Sequence, residues 1–210
     1  MIASIATKTI LLGALAIALG ACTEPRSEER TVMPEKNLEK ATFAGGCFWC
    51  MEPPFHKLKG VVSTNSGYAG GLKDNPTYEE VSAGGTGHTE AVEVLYDPAQ
   101  VTYEQLLDVF WKNIDPTAKD RQFVDLGSQY RAAIFYHNED QKRLAEASKK
   151  KLAKSGIFDR PIVTEISPAG KFWPAEEYHQ DYYTKNPVRY KFFRYNSGRD
   201  QFLEKAWGKK

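Results

Sequence analysis

Two of the chain's three cysteines stand one helical turn apart in Gly45-Gly46-Cys47-Phe48-Trp49-Cys50-Met51-Glu52, with two large aromatics between them. Glycines directly before a cysteine let the backbone turn sharply, and the residues from Phe48 to Leu58 read as a short helix leaving that turn. A thiol at such a helix start faces unpaired backbone N–H groups and the positive end of the helix dipole. Cys47 is therefore expected to favour the thiolate, the form that acts as a nucleophile.

A C-x-x-C pair admits three chemistries. A structural disulfide closes so short a loop that it stabilises little. Half of a zinc site needs two more ligands, and the four histidines (His56, His88, His137, His179) form no second paired ligand cluster. Thiol–disulfide exchange of the thioredoxin kind has weight, because the first cysteine of a helix-start pair is the nucleophile. The two aromatics in the gap differ from the small or proline-containing pair usual there. Phe48 and Trp49 are either a wall for an apolar substrate group or ordinary core.

A carboxyl for acid chemistry is legible downstream. His88 to Tyr96 is the clearest strand in the sequence and Asp97-Pro98 ends it. Val92, Val94 and Tyr96 share one face, and Glu90 has their parity, whereas Ala91, Glu93 and Leu95 lie opposite. If the Val92 face packs on the core, Glu90 lies at the margin of an apolar layer, where desolvation favours the protonated form. His88 has the other parity and reads as structural.

The elements that must position these groups follow in order. Lys40 to Ala44 is a short strand that delivers the chain into the Gly45-Gly46 turn, and Val61 to Ser66 is another. Gly67, Gly70, Gly71 and Asn75-Pro76 mark a long loop, followed by one helical turn from Thr77 to Val81. Thr102 and Gln105 have capping-box spacing before an amphipathic helix that ends near Asp115-Pro116. Ala118 to Gly127 is a polar loop holding Asp125, Gln129 to Tyr136 a strand, and Asn138 the cap of a lysine-rich helix that stops at Gly156. Ile162 to Ile166 reads as a strand, Pro168-Ala169-Gly170 as a turn, Ala175 to Thr184 as a helix, and the aromatic, basic tail holds no cysteine. This pattern predicts an α+β fold, a two-layer mixed sheet with helices, with a ferredoxin-like core and long loops.

Composition bounds the function. With 210 residues, 41% hydrophobic and 26% charged, the chain is long enough for one buried core and too short for a second full domain. A net charge of +1 gives no concentrated basic face for nucleic acid. The N-terminus differs in kind. Lys8 precedes an uncharged apolar run, Ile10 to Leu19, too short to span a membrane but suited to a secretory signal. Its end, Leu19-Gly20-Ala21-Cys22, resembles the lipobox of bacterial lipoproteins, in which the cysteine is lipidated. The alternative is ordinary cleavage near Ala21 that leaves Cys22 free. Residues 1–21 are thus expected to be a lipoprotein-type signal peptide, 22–37 a flexible tether and 38–210 the catalytic domain. The expected address is the periplasmic side of a bacterial cell envelope, anchored to the membrane by lipid at Cys22.

Gly45 through Glu52 resembles the signature of the A-type peptide methionine sulfoxide reductases around their catalytic cysteine. Four later segments agree in order: Gly67-Tyr68-Ala69-Gly70-Gly71; Tyr78 through Thr86-Gly87-His88-Thr89-Glu90-Ala91-Val92; Asp125 to Arg131; and Ala175 to Gln180 with Asn186-Pro187. The resemblance covers about Ala41 to Asn186.

The resemblance implies that Cys47 attacks the sulfur of methionine S-sulfoxide, free or in a protein. Glu90 would face the sulfoxide oxygen as hydrogen-bond donor and acid, with Tyr78 and Tyr130 adding hydroxyl donors, Phe48 and Trp49 enclosing the methyl group, and Asp125 orienting substrate or water. Cys47 would be left as a sulfenic acid. The resolving cysteines that many relatives carry near the C-terminus are absent, which moves that role to Cys50 or an external thiol, with a thioredoxin-like reductant closing the cycle. Phe123-Val124 departs from the smaller or polar residues usual before Asp125. The resemblance implies no metal, flavin or nicotinamide. Two other functions stand beside this one: exchange with other proteins' disulfides, and non-catalytic binding of oxidised or Met-rich partners.

Overall fold

A computed structural model of the chain describes residues 37–208. The expected signal peptide, nearly all of the tether and Cys22 lie outside them. The strands are β1 (Glu39–Gly45), β2 (Val61–Ala69), β3 (Thr89–Tyr96), β4 (Arg121–Gln122), β5 (Asp125–Leu126), β6 (Ala132–Tyr136), β7 (Glu165–Pro168) and β8 (Trp173–Pro174). The helices are α1 (Phe48–His56), α2 (Tyr78–Ala83), α3 (Tyr103–Trp111), α4 (Glu139–Ala153), α5 (Tyr182–Lys185), α6 (Pro187–Asn196) and α7 (Arg199–Trp207).

Six strands form one mixed sheet in the order β7-β6-β1-β3-β2-β8, with only β6 and β7 parallel. Within it β1, β2, β3 and β6 take the fourth-first-third-second order. With α1 between β1 and β2 and α3 between β3 and β6, this is the β-α-β-β-α-β arrangement of a ferredoxin-like core. The two-residue strands β4 and β5 make a separate small hairpin.

Alternation along the strands divides the sheet into two faces. Ala41, Phe43, Val92, Val94, Tyr96, Ala132 and Ile134 join the main core with the apolar stripes of α1 and α3. Phe43 stacks on Phe55, Tyr103 and Phe110 at ring-centroid distances of 5.0 to 6.0 Å. The opposite face carries the small residues Ala44, Ala69, Ala91 and Ala133 beside Phe135, against Ala169 and Phe172. The expected caps are present: Thr102 and Gln105 close a reciprocal box at α3, and Asn138 accepts the Gln141 N–H at α4.

Four expectations about elements need correction. Strand β2 runs on through Gly67 to Ala69, where spacing predicts a loop, because β8 pairs with it there. A Cβ on Gly67 would lie 2.4 Å from both the Phe172 ring and the Trp173 carbonyl, so glycine here permits close approach of strands. Tyr130 is not on a strand: Ser128–Tyr130 is a 3-10 turn after Gly127 (φ +122°), and β6 begins at Ala132. The strand expected over Ile162 to Ile166 forms at Glu165–Pro168, in register with Ala133 to Tyr136.

No helix spans Ala175 to Thr184. Glu177–His179 is a 3-10 turn, Asp181 is left-handed (φ +51°), and only Tyr182–Lys185 is helical. The Gln180 amide bonds both the N–H and the carbonyl of Ser66 at 2.9 Å, as a neighbouring strand would. Those distant backbone partners hold the segment out of helical form.

Candidate active site

Strand β1 ends in the glycine pair, and the chain turns directly into α1. Gly46 has φ +79°, and a Cβ there would meet the Gln122 side chain at 2.5 Å, so only glycine takes this turn at this packing. Cys47 follows at the N-cap of α1 and Cys50 lies inside the first turn. Both thiols are free and buried, Cys47 at 7% and Cys50 at 0% exposure.

Glu90 comes from β3, on the core-facing parity read from the sequence, and is 3% exposed. Its Oε2 accepts the Phe48 N–H at 3.0 Å. Burial pushes its carboxyl up to about 8, against the Phe48 N–H, which favours the carboxylate; the negative charge of Asp125 and Cys50 adds to the rise. Glu90 is thus predominantly a neutral acid at pH 7, able to donate a hydrogen bond.

Tyr78, Tyr130 and Asp125 reach this space from three separate segments. Tyr78 opens α2, and its N–H donates to Glu176 Oε1 at 2.9 Å, while the Tyr68 hydroxyl donates to Glu176 Oε2 at 2.8 Å. Burial is the main reason the Tyr78 phenol is pushed up to about 12, and it raises that of Tyr130 as well. Next for both comes the charge of Glu90, with contributions from Asp125 and Cys47. Asp125 pairs with Gln122 across the β4–β5 hairpin, whose turn is Phe123-Val124. Its carboxyl is pushed up to about 6 by burial, with Arg199 opposing. These mutual effects place Cys47, Glu90, Tyr78, Tyr130 and Asp125 around one space.

The aromatic pair has two environments. Phe48 is part of the main core, with its ring 6.1 Å from Tyr68 and 4.8 Å from His179. Trp49 is half-buried, stacks on Tyr182 at 3.7 Å, and donates its indole N–H to His179 Nδ1 at 3.0 Å. His179 is itself buried, has the Tyr78 ring at 4.5 Å, and keeps an Nε2 without a partner among the described residues. It is a packing residue of the aromatic cluster, in a 3-10 turn rather than a helix. His88 holds the Gly67–Gly71 end of the sheet: its Nδ1 accepts the Gly71 N–H, and Nε2 lies 2.8 Å from the Lys73 carbonyl.

The thiols depart from the expectation. The Cys47 side chain makes no cap hydrogen bond: the Phe48 N–H goes to Glu90, and the Cys50 N–H to the Cys47 carbonyl at 3.0 Å. Burial is the largest influence on Cys47 and raises its thiol well above the ordinary range. Sharing a proton with Cys50 and the negative charge of Cys50, Glu90 and Asp125 raise it further. The Cys50 thiol is lowered, first by the hydrogen bond from Cys47, against burial, and then by the charges of Arg199 and Arg194.

Nothing in the sequence singles out those two arginines. Arg194 on α6 donates to the Cys50 carbonyl at 3.1 Å and pairs with Asp200 at 2.7 Å. Arg199 on α7 donates to the carbonyls of Gly45 at 3.0 Å and Asn113 at 2.6 Å. No local pattern sets them apart among 28 lysines and arginines. Among the described residues no group of three or more His, Cys, Asp or Glu is placed to hold a metal ion.

A buried cysteine pair at a strand-to-helix turn, beside a neutral carboxyl and two phenols, defines a thiol-based oxidoreductase. The family model described as peptide methionine sulfoxide reductase matches residues 39–210. The chain belongs to that family, in its A type, and is an oxidoreductase. It is 57% identical over 178 residues to the peptide methionine sulfoxide reductase MsrA of Bacillus licheniformis, covering 85% of this chain and 98% of that protein. The MsrA of Bacillus subtilis is 56% identical, with 85% and 100% covered. Among solved structures, methionine sulfoxide reductase A of Corynebacterium diphtheriae is similar with a TM-score of 0.65 and 40% identity, covering 74% of this chain and 78% of that one.

Proposed function

We propose that the chain reduces methionine S-sulfoxide, free or in proteins, through a Cys47 sulfenic acid that Cys50 resolves. Cys47 attacks the sulfoxide sulfur while Glu90 donates to its oxygen, and the phenols of Tyr78 and Tyr130 stabilise charge as the S–O bond breaks. The thiol proton and the oxygen end on Cys47 as S–OH, and methionine leaves with the electron pair. The observation that carries this reading is Glu90: buried, neutral and anchored through one oxygen to the amide directly after the nucleophile. A raised Cys47 thiol fits the same scheme, since its proton can leave as the sulfoxide oxygen acquires one, with Glu90 between them.

Cys47 and Cys50 are the only free cysteines among the described residues, which supports Cys50 as resolver and an external thioredoxin-like dithiol as the reductant of the resulting disulfide. Incubating the reduced protein with each sulfoxide epimer, followed by mass mapping of cysteine states, tests the scheme. An S-epimer-dependent Cys47–Cys50 disulfide is expected, and equal consumption of both epimers overturns the stereochemistry. We further propose that the enzyme is held at the cell envelope by lipid on Cys22, on the support of the Leu19-Gly20-Ala21-Cys22 pattern. Mass analysis of the mature N-terminus tests this, and an unmodified Cys22 excludes the anchor.

A further inference from the structure

Helix α2 is six residues long and buries only Val81, so its own packing does little to fix where it points. Tyr78 is its first residue and carries one of the two phenols of the site. The capping box at its start ties the Thr77 N–H to the Glu80 side chain and the Glu80 N–H to the Thr77 hydroxyl, and it leaves the Tyr78 N–H without a partner inside the helix. That N–H donates to Glu176 Oε1 at 2.9 Å, across 98 residues of sequence. Among the described residues the Tyr78 hydroxyl has no hydrogen-bond partner, so its aim depends on how its backbone and ring are held.

Glu176 is itself braced. Its Oε2 accepts the hydroxyl of Tyr68, a buried residue of β2 whose ring lies 6.1 Å from that of Phe48. One carboxylate oxygen is thus given to the sheet and the other to the start of a short helix. Against burial, the bonds from Glu176's own N–H, from Tyr78 and from Tyr68 hold its carboxyl below the ordinary range, so the charged form makes both bonds near neutrality. Three residues on, the His179 ring packs on the Tyr78 ring at 4.5 Å. The segment 176–179 therefore holds Tyr78 by its backbone and by its ring. The far end of α2 is tied separately, by Gln129 donating to the Ser82 carbonyl at 3.0 Å.

We propose that Glu176 is a positioning residue for sulfoxide reduction: by fixing the Tyr78 N–H against the sheet through Tyr68, it aims the Tyr78 phenol at the oxygen that leaves the sulfur. Both oxygens of Glu176 are engaged by Tyr68 and Tyr78, so it acts through Tyr78 and not on the substrate. Donation to a departing oxygen depends steeply on distance and angle, and a phenol displaced by about 1 Å loses much of its worth in the transition state.

The inference rests on the Tyr78 phenol being a donor in that step, and the test separates the two. The reduced full-length protein is mixed with saturating methionine S-sulfoxide, and the methionine formed in the first turnover is timed by rapid quench. Glu176→Ala is expected to slow this step about tenfold, as Tyr78→Phe does, and the double variant to be no slower than either alone, because both changes remove the same donor. Glu176→Gln, whose amide oxygen still accepts the Tyr78 N–H while its amide nitrogen donates to the Tyr68 oxygen, should return most of the rate. Losses that multiply to about a hundredfold in the double variant, or a wild-type rate in Glu176→Ala, overturn the proposal while leaving Tyr78 as a donor. A wild-type rate in Tyr78→Phe overturns the donor reading and the proposal with it.

Should Glu176→Ala not fold, Glu176→Asp keeps the charge but is one methylene too short to span both partners. It should show the same non-additivity with Tyr78→Phe, with the loss in the rate at saturation and KM for the sulfoxide nearly unchanged. A loss confined to KM, or one that multiplies with that of Tyr78→Phe, overturns the proposal.

Discussion

The sheet and its loops bring Glu90, Tyr78, Tyr130 and Asp125 to Cys47, and burial drives all four toward their neutral forms. The C-terminal helices bring Arg194 to the Cys50 carbonyl and Arg199 to the Gly45 and Asn113 carbonyls, and burial cannot make these neutral. The same desolvation thus leaves Glu90 and the two phenols as hydrogen-bond donors on one side of the cysteine turn, with Asp125, at about 6, still mainly ionised near neutrality, and fixed cations on the other side. Reduction of a sulfoxide needs a proton on the departing oxygen; attack on a sulfenic acid needs a thiolate. The cysteines of one helical turn sit where these two requirements meet.

The most severe break of this contrast is Cys47→Ser, which should abolish reduction of either epimer in a methionine-release assay; residual S-epimer turnover would falsify its role as nucleophile. Next comes Cys50→Ser, for which one stoichiometric turnover is expected, with sulfenic acid persisting on Cys47 and reductant-driven cycling lost. Full cycling in that variant would mean that the reductant acts directly on Cys47. Glu90→Gln should slow single-turnover reduction on the order of a hundredfold while leaving the Phe48 N–H satisfied. A wild-type rate would remove Glu90 from the acid role.

The same variant sharpens the burial half of the comparison. The folded Glu90 pKa of about 8 lies above its ordinary 4.5. Its contribution to stability is therefore full below about 4.5 and is lost as pH rises through about 8. Glu90→Gln removes this loss, and denaturant titrations should show the variant gaining on wild type as pH rises across that window, on the order of 2 to 3 kcal/mol near neutrality. A pH-independent difference would mean that Glu90 is not held neutral. The smallest effects are expected for Tyr78→Phe and Tyr130→Phe, each about tenfold in the reduction step, the worth of one donor to developing charge. Loss in substrate affinity without loss in that rate would make the phenols binding groups only.

Local patterns make several parts of the site legible in the residues alone. Glu90 is readable because strand parity is strict: a carboxyl two residues before Val92 must share its face, and that face is the core. The turn at Gly45-Gly46 and the caps at Thr102 and Asn138 are readable because their partners lie within a few residues. Tyr130 and the segment from Ala175 to Thr184 take forms that spacing does not predict, and in the second case the partners lie far away in the chain. Gln180 answers Ser66, and Glu176 ties together Tyr68 and Tyr78. Helical spacing cannot register such bonds.

The sequence by itself determined which cysteine follows the glycine turn, which carboxyl shares a face with the core, the ferredoxin-like order of elements and the family signature. Each follows from spacing, and spacing is local. Only the tertiary structure decided the surroundings of the thiols. Proximity to a helix start points to a Cys47 thiolate. Burial, and the negative charge of Glu90 and Asp125 brought to it from β3 and the β4–β5 hairpin, raise the Cys47 thiol instead. Electrostatic energy depends on depth and distance in space, and residue spacing along the chain encodes neither.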